Sequence, residues 1–148
     1  MDKIKLYTIG FTKKSAEQFF SKLCSAGIKR VVDIRLNNSS QLAGFAKKDD
    51  LQYFLKKICD IEYVYISQLA PTKELLEAHR EKKNSWQVFE QRFIDLMRTR
   101  KIEKTVSKDI LNNGCLLCSE DTPDKCHRRL VAEYLKNKWR NVEIIHLT

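Results

Sequence analysis

Gly114-Cys115-Leu116-Leu117-Cys118 is the stretch that decides the fold. It carries no charge, and it is too short for a helix and too continuously apolar for a strand with one face in water. Strands buried on both faces belong to parallel sheets covered by helices. After it, Thr122-Pro123 reads as a helix start, with a hydroxyl at the N-cap and proline at the first position. Leu130, Val131, Tyr134 and Leu135 then supply the core face, and residues 142–147 form a closing strand.

The residues before it repeat the same alternation. Residues 4–9 form a first strand that stops at Gly10. Ser15-Ala16-Glu17-Gln18 is a capping box, and the helix it opens carries Ala16, Phe19, Phe20 and Leu23 before Gly27 ends it. Residues 30–35 are β-branched and form a second strand. A helix from Asp49 or Asp50 presents Leu51, Phe54, Leu55 and Ile58, and residues 61–66 alternate as a third strand. Thr72 caps a short helix, and Asn84 caps a longer one bearing Trp86, Phe89, Phe93 and Met97. Strands alternating with helices predict an α/β fold: one three-layer domain over residues 1–148, with a mainly parallel sheet of about five strands and helices on both faces.

Composition sets the class of protein. At 43% hydrophobic and 32% charged residues, the chain reads as globular rather than disordered. No stretch reaches the roughly 18 apolar residues of a membrane helix, and the N-terminus lacks a secretory h-region, so a cytoplasmic location with no membrane partner is expected. Reduced thiols are then the expectation for the five cysteines, with Cys24 and Cys59 as small buried residues in helical patterns. The formal net charge of +9 favours an anionic partner, nucleic acid or nucleotide. Between His79 and Lys108 nine basic residues stand against four acidic ones, either a solvated helix face or a polyanion-facing surface.

Ligands of open parallel sheets bind beyond the carboxyl ends of the strands. Those ends carry the polar and reactive residues of this chain. After strand two come Asp33, Arg35, Asn38 and Ser39; after strand four come Cys118 and Glu120, then Cys126, His127 and Arg128. Arg35 and Arg128 offer planar forks for a phosphate or carboxylate, Asn38 and Ser39 hydrogen bonds, and Asp33 shares the strand face of Arg35. His127 and Glu120 are candidate proton carriers. Cys118 and Cys126 are candidate nucleophiles, Cys126 near a helix N-terminus that lowers a thiol pKa. No metal site and no cofactor is expected, because Cys115 and Cys118 point to opposite faces of one strand and adjacent Cys126 and His127 chelate awkwardly.

Tyr7-Thr8-Ile9-Gly10, Val32-Asp33-Ile34-Arg35 and Leu117-Cys118-Ser119-Glu120 followed by Cys126-His127-Arg128 together resemble the domain-of-unknown-function 488 family (DUF 488). Gly44-Phe45 and Leu69-Ala70-Pro71 fall where that family has loop motifs. Phe11 and Thr12 stand where many members carry His and Ser, so a proton-transfer role for that His does not carry over. The resemblance implies a cytoplasmic α/β protein of prokaryotes and the same site, and supplies no reaction. Three readings follow. The first is an anion-binding protein directed at nucleotides or nucleic acid, with an enzyme on phosphate-bearing substrates as its extension. The second is a thiol-dependent enzyme using Cys118 or Cys126, and the third a non-catalytic interaction module.

Overall fold

A strand with no polar side chain takes the middle of a sheet, and β4 (Gly114–Cys118), buried at all five residues, does so. The computed structural model describes residues 3–38, 44–80, 85–119 and 126–148. β1 (Ile4–Gly10) and β2 (Arg30–Asp33) flank β4, with β3 (Glu62–Tyr65) and β5 (Val142–His146) outside them. The order is β3-β2-β4-β1-β5 and every pairing is parallel. The chain therefore has the expected α/β fold.

Alternation along β4 divides the core. Cys115 and Leu117 pack with Ile9 and Val31 against Phe19, Phe20 and Leu23 of α1 (Ala16–Ala26) and Leu51 of α2 (Lys48–Phe54). Leu116, on the other face, packs with Leu6 and Val32 against α4 (Trp86–Arg100) and α7 (His127–Trp139). Phe89, Phe93 and Met97 are the buried stripe of α4, and Leu130, Val131, Tyr134 and Leu135 are buried on α7. Between them lie α3 (Lys73–Arg80), α5 (Ile102–Thr105) and α6 (Lys108–Leu111). The Thr72 hydroxyl accepts from the Leu75 N–H before α3, and the Ser15–Gln18 capping box opens α1.

Four local expectations need correction. The helix after β4 starts at His127, because Cys126 at its N-cap has an extended backbone; Thr122 and Pro123 lie outside the described residues. Ser85, whose hydroxyl accepts from the Val88 N–H at 3.3 Å, caps α4 in place of Asn84. A π-helical turn at Leu55–Cys59 follows α2, and Ile58 is 55% exposed rather than in the core. Such a turn sets the side chains after it out of the 3.6-residue phase. Finally, Cys24 is exposed and Cys59 half-buried, and the two form a disulfide with Cα atoms 5.3 Å apart.

Strand order positions the site. β2 continues through α2 to the outer strand β3, whereas β4 continues through α7, on the opposite face, to the other edge at β5. Adjacent strands whose connections leave in opposite directions open a crevice at their carboxyl ends. The crevice falls between Asp33 and Leu117, which are register partners.

Candidate functional site

Asp33 closes β2 with its side chain fully buried, a costly position for a carboxylate unless it is paired and hydrogen-bonded. Arg35 supplies the pairing. Its Nε donates to Oδ1 at 2.8 Å, its Nη2 to Oδ2 at 2.9 Å and its main-chain N–H to Oδ1 at 3.1 Å. Tyr63 on β3 adds its hydroxyl to Oδ2 at 2.5 Å, and the Asn38 amide donates to that phenol oxygen at 3.4 Å. Burial and the hydrogen bond to Asp33 hold the Tyr63 phenol well above its ordinary pKa.

Arg35 is itself 3% exposed. Its guanidinium carbon lies 5.6 Å from the centre of the Phe11 ring, just after β1. Because β4 lies between β2 and β1, the side chain spans the carboxyl end of β4. Asp33 engages Nε and Nη2, and the third nitrogen, Nη1, is buried with no hydrogen-bond partner among the described residues.

The other wall is made by β4 and α7. Cys118, at the end of β4, forms a disulfide with Cys126, the N-cap of α7, so the expectation of reduced thiols fails for this pair as well as for Cys24–Cys59. Arg128, in the first turn of α7, is fully buried, and its Nη1 donates to the Cys118 sulfur at 3.5 Å. His127 Nε2 donates to the Ile34 carbonyl at 2.8 Å. Since that carbonyl only accepts, the proton of the neutral ring sits on Nε2 and Nδ1 keeps its lone pair. Burial, as the largest cause, lowers the His127 pKa to about 4. Ile34 separates Asp33 from Arg35, so this one bond joins the two walls. The donor atoms of Cys118, Cys126 and His127 all lie within 4.8 Å of one another.

The residues singled out in the sequence thus assemble in two linked groups: Asp33, Arg35 and Asn38 on one side, Cys118, Cys126, His127 and Arg128 on the other. Ser39 and Glu120 lie outside the described residues. Both arginines of the expected clamp are buried, Arg35 paired with Asp33 and Arg128 with its Nη1 toward the Cys118 sulfur. Tyr63 and Phe11 are members that sequence reasoning missed. Tyr63 had a signal, an aromatic hydroxyl in an alternating strand, but its use depends on β3 lying beside β2. Cys115 and Cys118 do face opposite sides of β4, and Cys115 is packed among Ile9, Val31 and Leu117.

A parallel α/β sheet with helices on both faces defines a broad class of domains that host many unrelated functions. Within that class the chain belongs to the family described as domain of unknown function DUF488, whose profile matches residues 15–135. No curated protein and no solved structure matches it.

Proposed function

We propose that this DUF488 chain binds a small phosphate-bearing ligand of the nucleotide class at the carboxyl ends of β2 and β4. The observation that carries this reading is the buried Nη1 of Arg35, without a hydrogen-bond partner among the described residues. An unsatisfied buried donor costs on the order of 1–3 kcal/mol, and a phosphate oxygen is a strong acceptor for a guanidinium N–H. Asp33 holds the fork rigid through two bonds, so its orientation is fixed before a ligand arrives. The first N–H groups of α7 lie at the same end of the sheet and favour an anion there. The net charge of +9 favours the encounter.

Inorganic phosphate and nucleoside monophosphates, titrated into the full chain, test the reading through thermal stability and the arginine side-chain 15N spectrum. Binding to the folded state raises the melting temperature in proportion to ligand saturation and moves the Arg35 guanidinium signals. An unmoved Arg35 signal at saturating phosphate would remove the proposal. Extension to nucleic acid requires affinity that falls steeply with salt.

A second reading has its own observation. Cys118, with the buried Arg128 guanidinium on its sulfur, is an electropositive thiol position, and Cys126 occupies a helix N-cap. Both features favour a thiolate, and thiol-dependent chemistry follows from them. Alkylation of Cys118 or Cys126 in the reduced chain that proceeds at pH 6 supports this reading. Reaction only above pH 8 removes it.

A further inference from the structure

The rim of the crevice gathers the two cysteines of the thiol reading with His127, a donor set whose three members no reading above uses together. We propose that Cys118, Cys126 and His127 of the reduced chain bind one divalent cation of the zinc class.

The chemistry of the donors points there. Two thiolates and one imidazole form a soft-to-borderline set that selects zinc-type ions over hard cations such as magnesium or calcium. Zinc–sulfur and zinc–nitrogen bonds of about 2.3 and 2.0–2.1 Å place neighbouring ligand atoms about 3.3–3.8 Å apart around a tetrahedral ion. The three donor atoms here already fall within 4.8 Å of one another. Reaching that spacing requires the Cys118–Cys126 bond to be reduced and its two sulfurs to part around the ion.

The backbone agrees. The Cα atoms of Cys118 and Cys126 are 7.4 Å apart, beyond the ~4.4–6.8 Å over which disulfides usually close. Two sulfurs that meet at a common ion tolerate this wider spacing. Residues 118 and 126 come from the end of a strand and the cap of a helix, both held in place by buried neighbours, so the separation is set by the fold.

The surroundings complete the argument. Histidine ligands ordinarily donate their second ring N–H to a carbonyl or carboxylate, which fixes the tautomer. His127 does this with the Ile34 carbonyl at 2.8 Å, leaving Nδ1 as the donor for the ion. Thiolate ligands are commonly steadied by N–H groups, and Arg128 Nη1 stands 3.5 Å from the Cys118 sulfur. The expectation against a metal rested on Cys115 with Cys118; the set gathered here replaces Cys115, which is packed in the core, with Cys126. The adjacency of Cys126 and His127 ceases to be awkward once Cys126 is an extended N-cap and His127 the first helical residue.

Ligation is proton-coupled and involves no electron transfer. The ion enters a dithiol, each thiol releases its proton to solvent as its sulfur–metal bond forms, and the neutral imidazole releases none. Where the two sulfurs are cross-linked, an added phosphine first breaks the sulfur–sulfur bond: it gives up two electrons and takes the oxygen of one water to become its oxide, and that water's two protons go to the sulfurs.

The experiment uses the full chain expressed with zinc and purified under a phosphine reductant. Elemental analysis is expected to give one zinc per chain. Cobalt(II) replacing that zinc should show thiolate-to-metal charge-transfer bands together with the visible bands of a tetrahedral ion. Cys126→Ser should lower ion affinity by tenfold or more, and a Cys24→Ser/Cys59→Ser double variant should keep the ion at full occupancy. Zinc well below one per chain, with no cobalt–thiolate band in the unaltered chain, overturns the proposal, and so does full occupancy in a Cys118→Ser/Cys126→Ser double variant. The cobalt spectrum of the unaltered chain decides the matter even where a variant fails to fold. Phosphate binding by Arg35 is read separately, so either result stands without the other.

Discussion

His127 donates its Nε2 proton to the main-chain carbonyl of Ile34 at 2.8 Å, fastening the first residue of α7 to the peptide between Asp33 and Arg35. The bond crosses the crevice between β2 and β4 and makes one unit of two groups 93 residues apart in the chain. Replacing His127 by Leu removes the donor and leaves a carbonyl in a buried setting without one. The expected cost is about 1–3 kcal/mol, read as a lowered denaturation midpoint with an unchanged slope. In the unaltered chain, 15N spectra of the imidazole should show the tautomer protonated at Nε2. The opposite tautomer would contradict the bond.

The Asp33–Arg35 pair makes a stronger demand. Both side chains are buried, and removing one partner strands the other's charge. Asp33→Asn should destabilise by about 3–5 kcal/mol. The double variant Asp33→Asn/Arg35→Met should recover a substantial part of that loss, since no unpaired buried charge remains. Additive losses in the double-mutant cycle would show that the two residues do not act as a pair.

Tyr63 and Tyr134 predict how stability responds to alkali. Burial and the hydrogen bond to Asp33 raise the Tyr63 phenol pKa, and burial with the hydrogen bond to Glu103 raises that of Tyr134 to about 12. In the unfolded chain both ionise near the ordinary value of about 10. A group raised by folding contributes stability below its unfolded pKa and loses it as pH climbs toward the folded value. Stability should therefore decline from about pH 10 upward. Tyr134→Phe should flatten that decline, and an unchanged slope would argue against the assignment.

The Cys24–Cys59 disulfide joins α1 to the turn after α2 across a separation of 35 residues. Closing a loop of that length is worth on the order of 3–4 kcal/mol in the chain-entropy description. Protein purified without reductant should yield a Cys24–Cys59 cross-linked peptide, and reduction should lower the melting temperature. Thiols that both alkylate fully in the native, unreduced chain would refute the pairing.

Much of this arrangement was legible because local chemistry is strong where the core is simple. The apolar run at 114–118, the Ser15 capping box and the Leu130–Val131–Tyr134–Leu135 face each act through neighbouring residues, and each appears where its pattern puts it. Tyr63 reaches Asp33 only because β3 joins the sheet beside β2, and strand order is a property of the whole chain. Ile58 leaves the core because a π-turn shifts the helical phase. The late start of α7 reflects the extended backbone of Cys126, which a Thr-Pro start signal cannot report. The division of labour between Arg35 and Arg128 was equally hidden. Arg35 follows β2 and Arg128 lies in the first turn of α7; both are buried, and the contacts they make with Asp33 and the Cys118 sulfur depend on the folded arrangement.

Arg35 carries the central claim, and the affinity of a nucleoside monophosphate for Arg35→Lys against the unaltered chain tests it most directly. Lysine keeps the charge but loses the fork that lets one guanidinium serve Asp33 and a ligand together. Each chain is titrated calorimetrically at a temperature where its melting curve shows it fully folded. The account predicts saturable binding to the unaltered chain and at least tenfold weaker binding to the variant, about 1.4 kcal/mol. Equal affinity of the two folded chains, or no binding to the unaltered one, would contradict it.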